Sequence, residues 1–492
     1  MITAISWVPK GAMKTLPEVA DPLLREDIED ILRKRIMERN GDDDSEEDEI
    51  MEVDPLRNDD EVAKALSAAD TLVKKSKKAS SDAPLEDLAD GLKELDMDEY
   101  DEEDEDVDLF GTGTSSIYYP SNEVDPYLLK DKDDDDSEEL EDREINPIDS
   151  VIVCGRTDED YNYLEVYVFQ EDLGDGDTNL YVHHEIVLSD FPLCTEWLDC
   201  PLKGGNKGNF IAVGSMDPAI EIWDLDIIDA VEPCLVLGGQ EEVKKKKKKG
   251  KKASIKYKEG SHTDSVMSLA WNKEFRNILA SGSGDSQVKI WDVATGKCNI
   301  TMEHHKDKVQ AITWNPCKPN ILLSGSFDKS IVMRDGKAPS HSGYKWLVAS
   351  KAEVECLAWN PHEEHSFVVS LSDGTVKGFD ARVAVSNPSS ESTPTFTIDA
   401  HSKAVCQVSY SPTAKDLLVT GSEDKMVKLW DLKDNQPSCV ASRSPKLGAL
   451  FSVSFSEDSP FLLALGGSKG KLEIWDVLSD ASVSQRFGKY RA

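Results

Sequence analysis

The chain has 492 residues, a formal net charge of −39, 31% charged residues and 39% hydrophobic residues. That length holds two or three ordinary domains or one large repeat domain. There is no run of 18 apolar residues, no apolar N-terminal core of signal-peptide length and no CxxC pair, so a membrane-spanning helix, a secreted product and a zinc ribbon are not expected.

The charge is one-sided. Residues 1–150 hold 48 acidic and 17 basic residues, net −31, and the remaining 342 hold 47 and 39, net −8. The nine cysteines, Cys154, Cys194, Cys200, Cys234, Cys298, Cys317, Cys356, Cys406 and Cys439, are scattered and odd in number. They suit a reducing compartment, and a soluble, intracellular protein is expected.

In chain order, the first element is ITAISWVPKG (2–11), a strand pattern ending in Trp, Pro and a polar turn. It recurs as AITWNPCKP (311–319) and LAWNPHEE (357–364). Residues 11–147 then break the pattern. GDDDSEEDE (41–49), DEYDEEDED (98–106) and DKDDDDSEELED (131–142) are like-charge blocks that repel and bury too little apolar surface to fold. Helical patterns lie between them. Asp21 and Pro22 cap a stretch whose Leu24, Ile28, Ile31, Ile36 and Met37 approximate one face, and 61–75 and 84–97 are weaker candidates. Each reads either as a transient helix in a solvated arm or as a docking helix that folds on a partner. Ser45, followed by acidic residues, suits an acidophilic kinase.

Beyond the arm, VIVCGR (151–156), LEVYVF (164–169) and LYVHHEIV (180–187) read as three strands of a four-stranded unit that lacks its first strand. AISWVP supplies it, with Trp7 in the place of Trp314 and Pro9 in the place of Pro316. Repeats follow: AIEIWDL (219–225), QVKIWDV (287–293), SIVMRDG (330–336), TVKGFDA (375–381), MVKLWDL (426–432) and KLEIWDV (471–477). Positions 291, 334, 379, 430 and 475 are 43, 45, 51 and 45 residues apart. Trp271, Trp314, Trp359, Tyr410 and Phe455 keep the same intervals. Short alternating strands punctuated by Gly, Ser, Asp and Pro, in units of this length ending in Trp-Asp, resemble the WD40 repeat, one blade of a β-propeller. The expected fold is all-β: a seven-bladed WD40 propeller over 148–492, its first blade completed by an N-terminal strand (1–10), with 11–147 a long acidic, mostly disordered insertion bearing short helices.

Within the blades, His262, Ser281, Asp285 and Trp291 have the spacing for a buried hydrogen-bond chain from indole to hydroxyl to imidazole to carboxylate. His401, Thr420, Asp424 and Trp430 repeat it, and His305, Ser324 and Asp328 repeat it in part, with Arg334 in the tryptophan position. Ser, His and Asp together also suggest a hydrolase triad. Recurrence in separate blades argues for architecture, since catalysis needs one site. Neither HEEH (362–365), in an inter-strand turn, nor GTGTSS (111–116), without flanking strand and helix, carries a metal or dinucleotide motif. No catalytic, cofactor or metal-binding residue is expected, and no enzyme.

The binding features are charge and loops. A basic loop (239–260) carries Lys244, Lys245, Lys246, Lys247, Lys248, Lys249, Lys251 and Lys252. It reads as a nuclear import signal or a contact to RNA phosphate that ignores sequence, because no aromatics interleave. The position before each turn Asp is Met216, Gly284, Phe327, Ser372 or Glu423, and Phe327 is a candidate partner hot spot or a ring folded back on its own blade. FDAR (379–382) faintly resembles the WDxR end with which some WD40 proteins dock on a ubiquitin ligase adaptor.

ISWVPKG, VIVCGRT, LEVYVF, YVHHEIVLSDFPLCTEWL, NFIAVGSMDPAIEIWDLDIIDAVEP, KKKKKKGKK and EGSHTDSVMSLAWNKEFRNILASGSGD together resemble the periodic tryptophan protein 1 family of nucleolar WD40 proteins. The resemblance covers nearly the whole chain. It departs around Arg334 and Phe379 and in the acidic arm. It implies a non-enzymatic scaffold in ribosome biogenesis, serving ribosomal RNA production and processing and pre-ribosome assembly in the nucleus and nucleolus. Pre-ribosomal proteins are the implied partners, with RNA phosphate backbone and histones as further candidates and no membrane or small-molecule substrate. The alternatives are a chromatin or histone-binding factor regulating transcription and a ubiquitin-ligase substrate receptor.

Overall fold

The structure, a computed structural model, describes residues 1–20, 143–158, 161–171, 178–202, 204, 207–241, 256–337, 343–347, 352–383 and 393–491. The chain divides into two units, Met1–Asp21 with Asp133–Ala492, and Pro22–Lys132. The helical candidates over 22–39, 61–75 and 84–97, Ser45, the stretch 111–116 and the loop lysines 244–252 lie outside the described residues.

The first unit is a ring of seven antiparallel sheets. Blade 1 runs from Ile2–Val8 through Ser150–Thr157 and Asn162–Gln170 to Asn179–Leu188, with Ile5 opposite Cys154 and Trp7 opposite Ile152. The strand pattern at the chain start therefore forms the innermost strand of a blade whose other strands follow 140 residues later. Blade 3 is representative of the rest: Val266–Trp271, Ile278–Ser283, Val288–Asp292 and Lys297–Met302. Its second strand, ILASGS, is buried almost throughout, because neighbouring blades cover both faces. Its outer strand, KCNITM, alternates exposed and shielded residues, with one face in water.

The recurring Gly of the second strands is explained by close approach. A methyl at Gly282 would come within 2.8 Å of Val309 and Ile312 in the next blade, and one at Gly466 within 2.5 Å of Ile2. Ile2 thus stands to blade 7 as Val309 stands to blade 3, and the ring closes there. Ile2, Ile5, Ile152, Cys154, Tyr167, Phe169 and Ala464 form the closing core. Polar stitches flank it. Ser6 Oγ lies 2.8 Å from Thr195 Oγ1 of blade 2, and the Trp7 indole donates to the Ser454 carbonyl of blade 7 at 3.1 Å. Trp314 makes the equivalent bond to Ala270 at 3.0 Å.

Two features carried no periodic signal. Blade 7 has three strands, Leu450–Phe455, Leu462–Gly467 and Leu472–Asp476. A short helix, Ala481–Phe487, follows, capped by Asp480, whose carboxylate accepts from Ser482 N–H at 2.8 Å. Its Val483 and Phe487 are buried with Leu429, Trp475 and Val477, each worth roughly 1.5–3 kcal/mol of apolar burial. Near the N-terminus, the chain stays on the ring past residue 10. Glu18–Val19 pairs in parallel with Ile227–Ile228, and Ile145 N–H donates to Thr15 O at 2.8 Å. The ring-bound flanks thus reach Ala20 on one side and start at Arg143 on the other.

Strand direction defines two faces. The upper face carries the blade-to-blade connections and the turns between second and third strands. The lower face carries the other turns, including the ends of the Trp-bearing innermost strands.

Candidate functional site

The densest polar chemistry lies inside the blades. In blade 3, His262 is fully buried, with Nδ1 2.9 Å from Asp285 Oδ2 and Nε2 2.7 Å from Ser281 Oγ. Trp291 Nε1–H donates to the same Ser281 oxygen at 2.8 Å. The bonds fix the proton on Nδ1, directed at the carboxylate, so Nε2 accepts from the Ser hydroxyl. Burial holds His262 below the usual imidazole range. Burial would raise Asp285, but the bonds from His262 and from the Gln287 and Thr263 N–H groups outweigh it and keep the carboxylate low. Blade 6 repeats the arrangement: His401 to Asp424 at 3.0 Å, His401 to Thr420 at 2.8 Å, and Trp430 to Thr420 at 3.0 Å.

Blade 4 departs in an informative way. His305 meets Asp328 at 3.2 Å and Ser324 at 2.9 Å. Arg334 leaves the tryptophan's place on Ser324 open, and His304 takes it, with Nε2 2.9 Å from Ser324 Oγ. For His305 to accept from the hydroxyl, His304 must donate to it, as indole does elsewhere. Burial, with His305 and the Arg334 charge adding to it, pushes His304 down to about 3. Sequence reasoning missed His304, because the nine-residue spacing selects His305. The doubled His-His beside an Arg in the Trp column was the available signal.

These sets have no open approach for a substrate. Each Ser or Thr hydroxyl is enclosed, with Ser281 and Thr420 fully buried and Ser324 nearly so. What the arrangement does is tie the turn Asp to the blade-to-blade connection: Asp285 holds Thr263 N–H and Asp328 holds Lys306 N–H. The upper-face loops are thereby clamped at their base.

Among the upper-face positions, Met216 is 54% exposed, while Phe327 is only partly exposed, its N–H donating to Lys308 O at 3.0 Å. On the innermost strand of blade 5, burial and then the neighbouring Glu353 and Glu423 charges push Glu355 up to about 7. On the lower face, Arg382 of FDAR is held by its own Asp380, Nη2 to Oδ2 at 2.6 Å. HEEH falls in a turn between Val354–Trp359 and Ser366–Leu371, with His362 bonded to Ser411 O at 3.2 Å. Among the described residues no group of His, Cys, Asp and Glu is placed to hold a metal ion.

Ring, blade count and clamped loops define the class: a seven-bladed WD40 β-propeller. Family models agree. One described as WD domain, G-beta repeat, matches residues 392–431, and one described as the anaphase-promoting complex subunit 4 WD40 domain matches residues 239–316. An uncharacterized WD repeat-containing protein of Schizosaccharomyces pombe is 40% identical over 416 residues, covering 82% of this chain and 77% of that protein. Periodic tryptophan protein 1 of Saccharomyces cerevisiae is 29% identical over 543 residues, covering 99% of this chain and 90% of that protein. Periodic tryptophan protein 1 homolog of Drosophila melanogaster is 30% identical over 360 residues, covering 72% and 73%. The chain belongs to the periodic tryptophan protein 1 family.

Proposed function

We propose that this protein is a non-enzymatic scaffold of ribosome biogenesis, acting in the nucleolus in ribosomal RNA processing and pre-ribosome assembly. The observation that supports the scaffold reading most is the burial of every Ser/Thr–His–Asp set inside its own blade. Reactive residue types are consumed in holding loops still, which leaves the rigid surface as the working part. Family membership gives that surface its context. The acidic arm, net −31 over residues 1–150, attracts basic proteins over long range. Lys244–Lys249, Lys251 and Lys252 serve import or backbone contact with RNA. Phe327 is proposed as a partner contact and Ser45 as a phosphosite.

Depletion of the protein followed by pulse-chase labelling of ribosomal RNA tests this. Precursor species should accumulate within one or two generations, before bulk translation falls. Unchanged precursor ratios under full depletion would overturn the reading.

A further inference from the structure

Several cations of the ring's lower face are held in ion pairs. On the lower face, Lys10 pairs with Glu171, Lys273 with Glu457, Lys318 with Glu364, Lys415 with Glu363, and Arg382 with Asp380. On the upper face of blades 6 and 7, Lys403, Lys425, Lys446 and Lys469 are all exposed, and none makes a side-chain ion pair among the described residues. Blade 4 adds Lys306 and Lys329, in the same condition.

The four lysines form one strip. Ser422 Oγ donates to Lys403 O at 3.3 Å, and Lys425 N–H donates to Ser422 O at 3.1 Å. Leu450 of blade 7 donates to that same Ser422 carbonyl. Lys469 N–H bonds Leu447 O, next to Lys446, at 3.1 Å. Asp424 accepts from His401 and from Ser402 N–H. Glu423 lies near Glu355, whose charge it opposes.

Backbone conformation adds a second observation. Lys425 and Lys446 sit at φ 73° and 61°, in the left-handed region, and Lys329 sits at 66°. At the turn position of Lys329 and Lys425, blade 3 has Ser286 at φ 67° and blades 5 and 7 have Gly374 and Gly470, whereas Lys446 lies in the connection from blade 6 to blade 7. A lysine there costs backbone energy that glycine avoids. Neither Lys425 nor Lys446 makes a side-chain ion pair among the described residues.

We infer that the upper face of blades 6 and 7 binds the sugar-phosphate backbone of RNA through Lys403, Lys425, Lys446 and Lys469. The identification of that RNA as a ribosomal precursor rests on the function proposed above, whereas the binding surface itself does not. Mobile ammonium groups at turn tips suit a repeating line of phosphates at any register. The turns that carry them, 401–405, 422–426, 444–449 and 467–471, contain no Phe, Tyr or Trp to stack a base, so the contact positions RNA and does not read it.

The test is fluorescence anisotropy of a labelled oligouridine of about 30 nucleotides with the full-length chain. All variants carry Ser in place of the 244–252 lysines, so the basic loop makes no contribution. The strip variant is Lys425→Gly, Lys446→Gly, Lys469→Gln, whose glycines relieve the backbone and protect the fold. The control removes the same charge from exposed lower-face positions: Lys207→Gln, Lys297→Gln, Lys433→Gln. Raising KCl from about 50 to about 200 mM should weaken the parent roughly 20-fold more than the strip variant, at about 0.7 of a salt-slope unit per lost phosphate contact. The control should follow the parent. Equal losses in the strip variant and the control would overturn the inference. So would strip-dependent binding of a polyglutamate peptide with none of the oligouridine. A ring that binds RNA through the strip yet never meets a pre-ribosomal particle would refute the proposed function and leave this surface standing.

Discussion

At the scale of single residues, a histidine kept neutral makes the ring sensitive to acid. His304 is buried beside His305 and Arg334 and held to about 3, against about 6.5 in an unfolded chain. Between those values the unfolded state binds a proton that the folded state refuses. Stability is therefore full above the unfolded value and falls as pH drops across the window, by at most about 1.4 kcal/mol per unit for this group. His184, pushed by burial to about 4, and the lowered His262 and His401 act in the same direction. Replacing His304 with Gln, which keeps a donor for Ser324, should flatten the loss of stability between pH 7 and pH 5 by on the order of 1–2 kcal/mol. Urea midpoints at the two pH values measure this. Parallel pH profiles for the two proteins would show that His304 does not carry the effect. The tetrads of blades 3 and 6 were legible from the sequence, because His, Ser or Thr, Asp and Trp recur at fixed intervals. The blade 4 variant was not, because a substituted donor comes from a neighbouring residue in the loop and leaves no mark in the strand pattern.

At the scale of elements, the N-terminal strand decides closure. It is the innermost strand of blade 1 and touches blades 2 and 7, so its removal exposes three hydrophobic surfaces at once. Buried Ile2, Ile5 and Val8 alone represent roughly 5–9 kcal/mol of apolar burial. Deleting residues 1–10 should lower the melting temperature by more than about 15 °C or prevent folding. Deleting 45–140 should leave it within about 2 °C. Calorimetry on both deletions decides, and an unshifted transition in the first would refute the closure. The Trp and Pro at residues 7 and 9 announced this strand: the Trp7 indole bonds Ser454 O of the preceding blade as that of Trp314 bonds Ala270 O. The short helix on blade 7 and the parallel pair of Glu18–Val19 with Ile227–Ile228 were illegible for a different reason. Seven residues and two residues are too short to carry a period, and long-range packing alone places them.

For the whole molecule, one chain carries a seven-bladed ring, a strongly acidic segment and a basic loop. The ring's repeat length and blade count were legible because each blade restates the pattern that its neighbours need in order to bury their sides. The gathering of Lys403, Lys425, Lys446 and Lys469 on adjoining turns was not, since it depends on which turns the closed ring brings together. The proposed assembly role rests on family membership and the enclosed tetrads. The most direct test is sedimentation of nuclear extract on a density gradient, with and without RNase, with detection of this protein across the fractions. The protein should co-migrate with pre-ribosomal particles and collapse to slow fractions after RNase. Slow migration that RNase leaves unchanged would contradict the assembly role.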